Sequence, residues 1–396
     1  MNQGCNKSLH ILIISNGYPS VYKSLSGSFW KDQAEAFVEQ NCKVGLIATT
    51  PISVKDIKNK GIKHLKKEVK IENGVYTYVL RFPNIPLLNF LESLVSAYFG
   101  FRLFKKYIKC NGLPDVIHVH RFEAGLLAVK IKKWYNIPYV VTEHSSRFLY
   151  ETLSKVERSI AQKVFNCADK CIAVSSSLSD KLSADFGVKF NYIPNIVNTI
   201  FFRRSERISK NKSFSFFSAG NLDTNKNHKM LIDAFYLFHR YNPNSLLYIA
   251  GEGALKASLK SQIEKLGLVE SVMLLGKLSR EDMVKLNNRC HVFVLPSIKE
   301  TFGVVLIEAL SSGIPVISTK SGGPSSIITD KRIGEVCDVN VEAMSSVMKK
   351  VYINFDNYSS EWIVNYVNEN FSKEKVILKL MNIYENIINV NVRKKS

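Results

Sequence analysis

Long apolar runs are missing from this chain of 396 residues. Nothing approaches the roughly 20 consecutive apolar residues that a membrane-spanning helix needs. Met1 to His10 is polar, and the run after it, Ile11 to Ile14, is only strand-length. Neither a secretory leader nor a span is expected, which predicts a cytoplasmic protein. Paired cysteines are missing too. Cys5, Cys42, Cys110, Cys167, Cys171, Cys290 and Cys337 are scattered and odd in number, with no C-x-x-C spacing. That pattern reads as reduced thiols. Cys167 and Cys171, four apart, are placed to share a helix face, but no second ligand pair accompanies them and no metal site is predicted. Acidic residues are few, 34 Asp and Glu against 54 Lys and Arg, for a formal charge of +20. Such a balance favours anionic partners of some kind: nucleic acid, an acidic membrane face or phosphate-bearing substrates. Nucleic acid is disfavoured by the lack of any helix-turn-helix, zinc finger or aromatic RNA motif. A nicotinamide dinucleotide is disfavoured because Ser15-Asn16-Gly17-Tyr18-Pro19, not G-x-G-x-x-G, follows the first apolar run.

What is present is a globular composition, 46% hydrophobic and 22% charged, on a chain long enough for two cores. Short apolar runs alternate with helix-like segments. Ile11–Ile14, Val44–Ala48, Val116–Val119, Tyr139–Thr142 and Cys171–Val174 predict buried strands, separated by helices such as Ser28–Asn41, Ala124–Tyr135 and Leu153–Ala168. The pattern restarts with strands at Ser215–Ala219, Ser245–Ala250, Val272–Leu275, Val292–Leu295 and Val316–Thr319. Helices are predicted there at His228–Arg240, Ala254–Leu266, Glu281–Arg289 and Val304–Ser312. Apolar strands alternating with helices imply parallel sheets. The expected architecture is α/β: two tandem, Rossmann-like, doubly wound domains facing across a cleft. Residues 1–194 form the first and 195–371 the second, with the connection near Phe190–Asn211. Residues 372–396 are a last helix, capped by Ser372, and a tail that return to the first domain.

Three segments carry chemistry. Pro296-Ser297-Ile298-Lys299-Glu300-Thr301-Phe302-Gly303-Val304-Val305-Leu306-Ile307-Glu308 follows a strand and opens a helix. Gly303 allows close backbone approach, and the free N–H groups of Val304 and Val305 at the positive end of the helix dipole suit an anion. Glu300 and Glu308 fit beside a phosphate if they accept hydrogen bonds from sugar or ribose hydroxyls. The second segment, Gly220-Asn221-Leu222-Asp223-Thr224-Asn225-Lys226, pairs a glycine turn with an ammonium for a diphosphate. In the third, Gly313 ends the helix, and Gly322-Gly323-Pro324 bring backbone N–H groups near a ligand. In the first domain His144 ends a strand and points to the cleft. His118 and His120 share a face of the preceding strand, and Gly27 lies with Ser24, Ser26 and Ser28 in a loop suited to backbone contact with a ligand.

Together these pieces resemble the retaining glycosyltransferases of family 4, with the GT-B fold, over nearly the whole chain from Ile11 to about Tyr384. The most specific element is the E-x7-E run from Glu300 to Glu308 with Phe302-Gly303 inside it, followed by Gly313-Ile314-Pro315-Val316. Asn191-Tyr192-Ile193-Pro194-Asn195 resembles the family's interdomain segment. The resemblance implies that Glu300, with the backbone at Phe302 and Gly303, binds hydroxyls of the transferred sugar. It also implies that Glu308 holds the ribose, Lys226 neutralises the diphosphate, Gly276 lies near the nucleobase and Gly27 near the phosphates. His144 is placed beside the anomeric centre, with His120 and Glu143 on the acceptor side. Where the family usually has an arginine this chain has Asn221, and Lys320 or Arg280 is expected to supply the missing charge. No cofactor and no metal are implied.

The expected activity is hexosyl transfer from a UDP- or GDP-sugar to a glycan or lipid-linked acceptor, and the resemblance suggests work in cell-surface polysaccharide assembly. Two groups of basic residues (Lys55 to Lys70, and Arg102, Lys105, Lys106 and Lys109) flank an apolar stripe of Leu87, Phe90, Leu91, Leu94, Tyr98, Phe101, Phe104 and Ile108. That combination suits peripheral contact with an anionic inner membrane; a core-facing helix with solvated lysines is the other reading. Another nucleotide-binding Rossmann-type protein, a GT-B epimerase or phosphorylase, and a basic nucleic-acid-binding protein are the alternatives.

Overall fold

The computed structural model describes residues 8–21, 27–84, 91–205 and 212–393. Cys5, Ser24, Ser26, Leu87 and Phe90 lie outside them, as does the 206–211 part of the expected connection. The chain divides into two compact units. The first comprises Met1–Val174, Ser179–Ile196 and Val376–Ser396, the second Ser175–Leu178 and Val197–Lys375. The change at Ile196–Val197 lies two residues beyond the expected boundary, and the return falls at Lys375–Val376.

The first unit is built on an eight-stranded sheet: β1 His10–Ser15, β2 Lys43–Ser53, β3 Lys67–Glu72, β4 Val75–Asn84, β5 Val116–His120, β6 Tyr139–Glu143, β7 Lys170–Ala173 and β8 Phe190–Tyr192. Their order is β3-β4-β2-β1-β5-β6-β7-β8, all parallel except β3 against β4. β1 is buried at every position, as expected of a central strand covered on both faces. β2 tolerates Pro51 because β1 pairs with it only as far as Ala48, leaving Pro51 opposite Phe82 of β4 alone. The β3–β4 hairpin turns on Asn73-Gly74, both at positive φ, a two-residue loop that matches strand twist.

Helices α1 Ser28–Glu39, α2 Val54–Lys60, α3 Glu92–Asn111, α4 Gly125–Tyr135, α5 Arg147–Tyr150, α6 Lys155–Cys167 and α7 Ser176–Phe186 connect these strands. α6 starts on a capping box in which Ser154 and Glu157 satisfy each other's backbone N–H. Cys167 ends α6 while Cys171 sits in β7, so the two do not share a helix face. All six described cysteines are free.

The second unit has six strands: β9 Phe214–Ala219, β10 Ser245–Ala250, β11 Val272–Gly276, β12 Val292–Leu295, β13 Val316–Thr319 and β14 Gly334–Cys337. All are parallel, in the order β11-β10-β9-β12-β13-β14. Its helices are α8 His228–His239, α9 Lys256–Lys265, α10 Arg280–Arg289, α11 Val304–Ser311, α12 Val341–Ile353 and α13 Ser360–Phe371. One core gathers Phe216, Phe235, Phe238, Leu247, Val294 and Met348 across this sheet and its helices.

The last helix, α14 Lys373–Arg393, begins where the Ser372 hydroxyl accepts from the Lys375 N–H at 3.4 Å. It belongs to the first unit from Val376 on. Val376, Ile377, Leu380 and Tyr384 enter the same core as Ile11, Phe37 and Val44, and the Tyr384 hydroxyl bonds His118 Nδ1 at 2.6 Å.

Candidate active site

Open parallel sheets bind ligands beyond the carboxyl ends of their strands, where the chain leaves in opposite directions from neighbouring strands. In the second unit that point lies at β9, flanked by β10 on one side and β12 on the other. The loops leaving β9 and β12 carry the two principal motifs, and the structure brings them together. Lys226 Nζ lies 2.5 Å from Glu300 Oε2, and the two side chains are largely shielded from solvent. Asn225 fastens the loops to each other. Its carbonyl accepts from the Ile298 N–H at 2.8 Å, its side-chain carbonyl accepts from the Lys299 N–H at 3.0 Å, and its amide donates to the Lys299 carbonyl at 3.0 Å. Asp223 accepts from the Lys226 N–H at 2.9 Å.

Gly220 makes room for this arrangement. A Cβ there would sit 3.1 Å from Lys226 Cδ, so the lysine stem lies along a bare backbone. Gly303, at φ 96 and ψ 57, is the N-cap of α11, with no side chain capping the helix. A left-handed residue at that point costs little only for glycine, and it leaves the first-turn N–H groups of Val304 and Val305 uncapped by any side chain. Phe302 is buried against Phe371. Glu308 lies one and a half turns into α11 and is half-buried. Gly276 ends β11 at φ 70, its carbonyl accepting from the Gly251 N–H at 2.8 Å.

Two expectations change. Gly322-Gly323 serve the fold of the Glu300 loop rather than offering N–H groups outward. The Gly323 N–H donates to the Glu300 carbonyl and the Glu300 N–H to the Ser321 carbonyl, each at 2.8 Å, and a Cβ on Gly323 would lie 2.4 Å from Thr301 backbone atoms. The cations expected to compensate for Asn221 are engaged elsewhere. Lys320 pairs with Asp338 at 2.8 Å, and Arg280 lies over the rings of Phe201 and Phe202. Asn221 itself is exposed.

The first unit has its own divergence at β1, flanked by β2 and β5. Here the structure assembles an aromatic and imidazole cluster that sequence reasoning saw only in part. Gly27, at φ 83, caps α1; a Cβ would lie 2.6 Å from Trp30 Nε1 and 2.7 Å from the Gly17 carbonyl. The Trp30 indole N–H donates to that carbonyl at 2.8 Å, and its rings stack on His120 at 5.5 Å and meet His144 edge-on at 6.1 Å. His118 stacks on His120 at 4.4 Å and bonds the Thr142 hydroxyl at 2.7 Å through Nε2. His120 Nδ1 bonds His144 Nε2 at 3.0 Å. Nothing in the sequence near Trp30 announced its role.

His120 and Glu143, expected on the acceptor side, are buried, at 1% and 0% exposure. Glu143 is spent on the backbone: Oε1 accepts from the His144 and Ser145 N–H groups at 2.9 and 2.8 Å, and Oε2 from the Phe122 N–H at 3.0 Å. It shapes the turn that presents His144. Beside it Arg121, at φ 69, pairs with Glu123 at 2.5 Å. Among the described residues no group of three or more His, Cys, Asp or Glu is placed to hold a metal ion.

Burial sets the protonation of this cluster. It pushes His118 down to about 3, with the neighbouring His144 adding to the effect. His120 is pushed well below the usual histidine range by burial and then by His118 and His144. Burial, then the Glu123 carboxylate, pushes Glu143 up to about 7, against Arg121 and the backbone amides. As pH falls below 6.5, unfolded histidines take up protons that buried His118 and His120 refuse, so each costs stability, about 1.4 kcal/mol per pH unit. Glu143 acts oppositely, binding its proton in the folded state from about 7 while the unfolded carboxyl waits until 4.5. His144, held down to about 3 by burial and then by Arg121, adds a third such histidine, so three histidines against one carboxyl leave a net loss of about 3 kcal/mol per pH unit through that window. Urea midpoints measured from about pH 7 to about pH 5, where exposed carboxylates scarcely titrate, should fall; a level or rising profile refutes the buried neutral cluster.

Comparison with known proteins accords with this geometry. Residues 27–201 match the family model described as Glycosyltransferase Family 4, and residues 200–364 the one described as Glycosyl transferases group 1. A glycogen synthase of Mycobacterium tuberculosis is 27% identical over 247 residues, 60% of either chain. The chain thus spans about 60% of the length of the glycogen synthases it matches. An uncharacterised glycosyltransferase of Methanocaldococcus jannaschii is 28% identical over 343 residues, 79% of this chain and 85% of that one. Among solved structures, the sucrose-phosphate synthase of Thermosynechococcus elongatus superposes with a TM-score of 0.77 at 18% identity, covering 97% of this chain and all of the other. Anabaena HepE, solved in complex with UDP, gives 0.71 at 17% identity over 96% of this chain and all of that one. These likenesses give the fold, GT-B, and the two matched family models adjoin from residue 27 to residue 364: the chain belongs to the family 4, group 1 glycosyltransferases.

Proposed function

We propose that this protein is a retaining hexosyltransferase that moves a sugar from a UDP- or GDP-sugar to a glycan or lipid-linked acceptor in cell-surface polysaccharide assembly. The observation that carries the donor half of this reading is the Lys226–Glu300 pair, set between the loops of β9 and β12 where the sheet diverges. Breaking the anomeric bond places negative charge on the leaving diphosphate. Lys226 supplies a positive charge for it and the α11 N-terminus a set of N–H donors. Glu300, released from the lysine as the diphosphate takes its place, accepts from sugar hydroxyls, and Glu308 accepts from the ribose. Retention follows when the acceptor attacks from the face the diphosphate leaves, and the departing phosphate oxygen takes the acceptor proton. No protein base is then needed, and no cofactor or metal is assigned. His144 attends the sugar.

A thermal-shift panel of UDP-, GDP- and ADP-sugars, followed by a hydrolysis assay with the strongest ligand, tests the reading. One nucleotide class should raise the melting temperature and release its diphosphate slowly. No shift with any sugar nucleotide, and a shift with a nicotinamide dinucleotide instead, would overturn it.

Membrane contact is part of the proposal because the structure joins the two basic groups. Lys67 of β3 is pushed down by burial and then by the charges of Lys106 and Arg102 on α3. The buried face of α3 is Ser93, Ser96, Gly100, Phe101, Leu103, Phe104, Tyr107 and Asn111, so Phe101 and Phe104 of the expected stripe turn to the core, whereas Leu94 and Tyr98 are more than half exposed on the helix that carries Arg102, Lys105, Lys106 and Lys109. Trp134 of α4, 66% exposed, packs edge-on against Phe101, and Lys130 covers the same ring at 4.3 Å. Apolar tips ringed by lysines suit an anionic lipid face at about 1 kcal/mol per near-surface cation. No helix among the described residues is long and apolar enough to cross a membrane. Vesicles rich in phosphatidylglycerol should float the protein at low salt and release it at high salt. Failure to float at low salt removes this part of the proposal.

A further inference from the structure

His120 is almost wholly buried, and among the described residues its ring makes a single hydrogen bond, between Nδ1 and His144 Nε2 at 3.0 Å. Its other nitrogen, Nε2, is buried with no partner among the described residues. A neutral imidazole carries one N–H and one bare nitrogen, and here the two choices are unequal. With the proton on Nε2, His120 would bury an N–H with nothing to receive it, an arrangement native structures almost never keep. With the proton on Nδ1, the N–H has an acceptor at hydrogen-bond distance and the orphan is only a lone pair. His144 Nε2 must then be bare, and the proton of its neutral ring sits on Nδ1.

We propose that His120 is a positioning residue that fixes His144 as the Nδ1–H tautomer, so that His144 offers a donor N–H, not a base, to a hydroxyl oxygen of the bound sugar. The inference rests on the reading of His144 as a residue that attends the sugar, and it sharpens that reading. With Nε2 occupied by the His120 N–H and Nδ1 already protonated, His144 has no free lone pair with which to take the acceptor's proton, consistent with proton transfer to the leaving phosphate.

The ring that does the fixing is itself held on both faces. Trp30 stacks on one side at 5.5 Å and His118 at 4.4 Å, inclined by 26° and 28°. Trp30 is pinned in turn by its bond to the Gly17 carbonyl, and His118 by Thr142 and by Tyr384 of α14. A buried ring so clamped cannot rotate to find Nε2 a partner without unpacking its neighbours. Neutrality of both rings agrees with the downward push that burial gives them.

Heteronuclear NMR on protein carrying isotope-labelled histidine reads the tautomer directly, with the His144 signals assigned by their loss in His144→Gln. The wild type should show a protonated Nδ1 and a bare Nε2 at His144. His120→Phe, which keeps an aromatic ring between Trp30 and His118 but removes the N–H, should release His144 to a mixed or reversed tautomer. It should also lower kcat/KM for the donor about tenfold, the worth of one neutral hydrogen bond. His120→Asn, whose amide nitrogen can replace Nδ1, should restore both. A wild-type His144 protonated on Nε2 overturns the inference whatever the activity, and needs no folded variant. If the tautomer is as stated but His144→Gln leaves transfer intact, the positioning by His120 stands and the role of His144 toward the sugar falls.

Discussion

Lys226→Ala should lower sugar transfer by about 10²–10³-fold, the usual cost of removing one preorganised group that stabilises developing charge. The loss should appear mainly in kcat, because negative charge on the diphosphate is greatest as the anomeric bond breaks. Lys226 lies 2.5 Å from Glu300, so the alanine variant also leaves that carboxylate without its ammonium. Glu300→Gln keeps the shape and frees the lysine, but exchanges a charged acceptor for a neutral one. It should cost transfer through weaker bonds to sugar hydroxyls. The double variant should lose less than the product of the two single losses, as expected for residues in direct contact. Cys167→Ser, in a half-buried free thiol at the end of α6, should leave turnover unchanged. Near-normal turnover in Lys226→Ala would remove the phosphate role and with it the donor site proposed for the second unit.

The second large effect is expected at Gly323. A methyl group there would lie 2.4 Å from the carbonyl carbon and oxygen of Thr301 and from the Phe302 nitrogen. All three atoms are backbone, in a segment tied by the Glu300 and Gly323 hydrogen bonds at 2.8 Å, so no flexible side chain can give way. Overpacking typically costs about 1–3 kcal/mol, and relief requires displacement of the loop that carries Glu300. Gly323→Ala should therefore lower the urea midpoint and donor turnover together. Gly267→Ala is the contrast: its Cβ meets nothing within 4 Å, although φ is +68, so it should cost only the strain of a left-handed alanine, about 1–2 kcal/mol, with turnover unaltered. Wild-type stability and activity in Gly323→Ala would show that the loop moves freely.

Most of both sheets could be read in the sequence because their strands are buried on two faces and so appear as continuous apolar runs. The β3–β4 hairpin did not announce itself that way. Lys67–Glu72 is largely exposed, so the segment KEVKIE reads as a lysine-rich surface, and only Asn73-Gly74 marks the turn. β14, GEVC at a sheet edge, has Glu335 and Val336 only half-buried and so carries no continuous apolar run. In the site, Lys226 and the Glu300–Glu308 run were legible because glycine turns and strand ends fix where such loops emerge. The supporting contacts were not. Asn225 acts across 74 positions and Tyr384 reaches His118 across 266, and separations of that size leave no local trace. Glu143 shows the limit from the other side. A strand-end position suggests a residue facing ligand, yet which way a carboxylate turns depends on which amides lie bare nearby, and here three of them capture it.

The route of α14 has a bearing on how the protein is made. Val376, Ile377, Leu380, Tyr384 and Ile387 complete a core whose other members lie between Ile11 and Ile196, and the whole span Val197–Lys375 is synthesised in between. At about 5–20 residues per second that span occupies a ribosome for about 10–35 s. Throughout that interval the nascent first unit holds an open apolar trough where the helix will seat, and a His118 still awaiting its tyrosine.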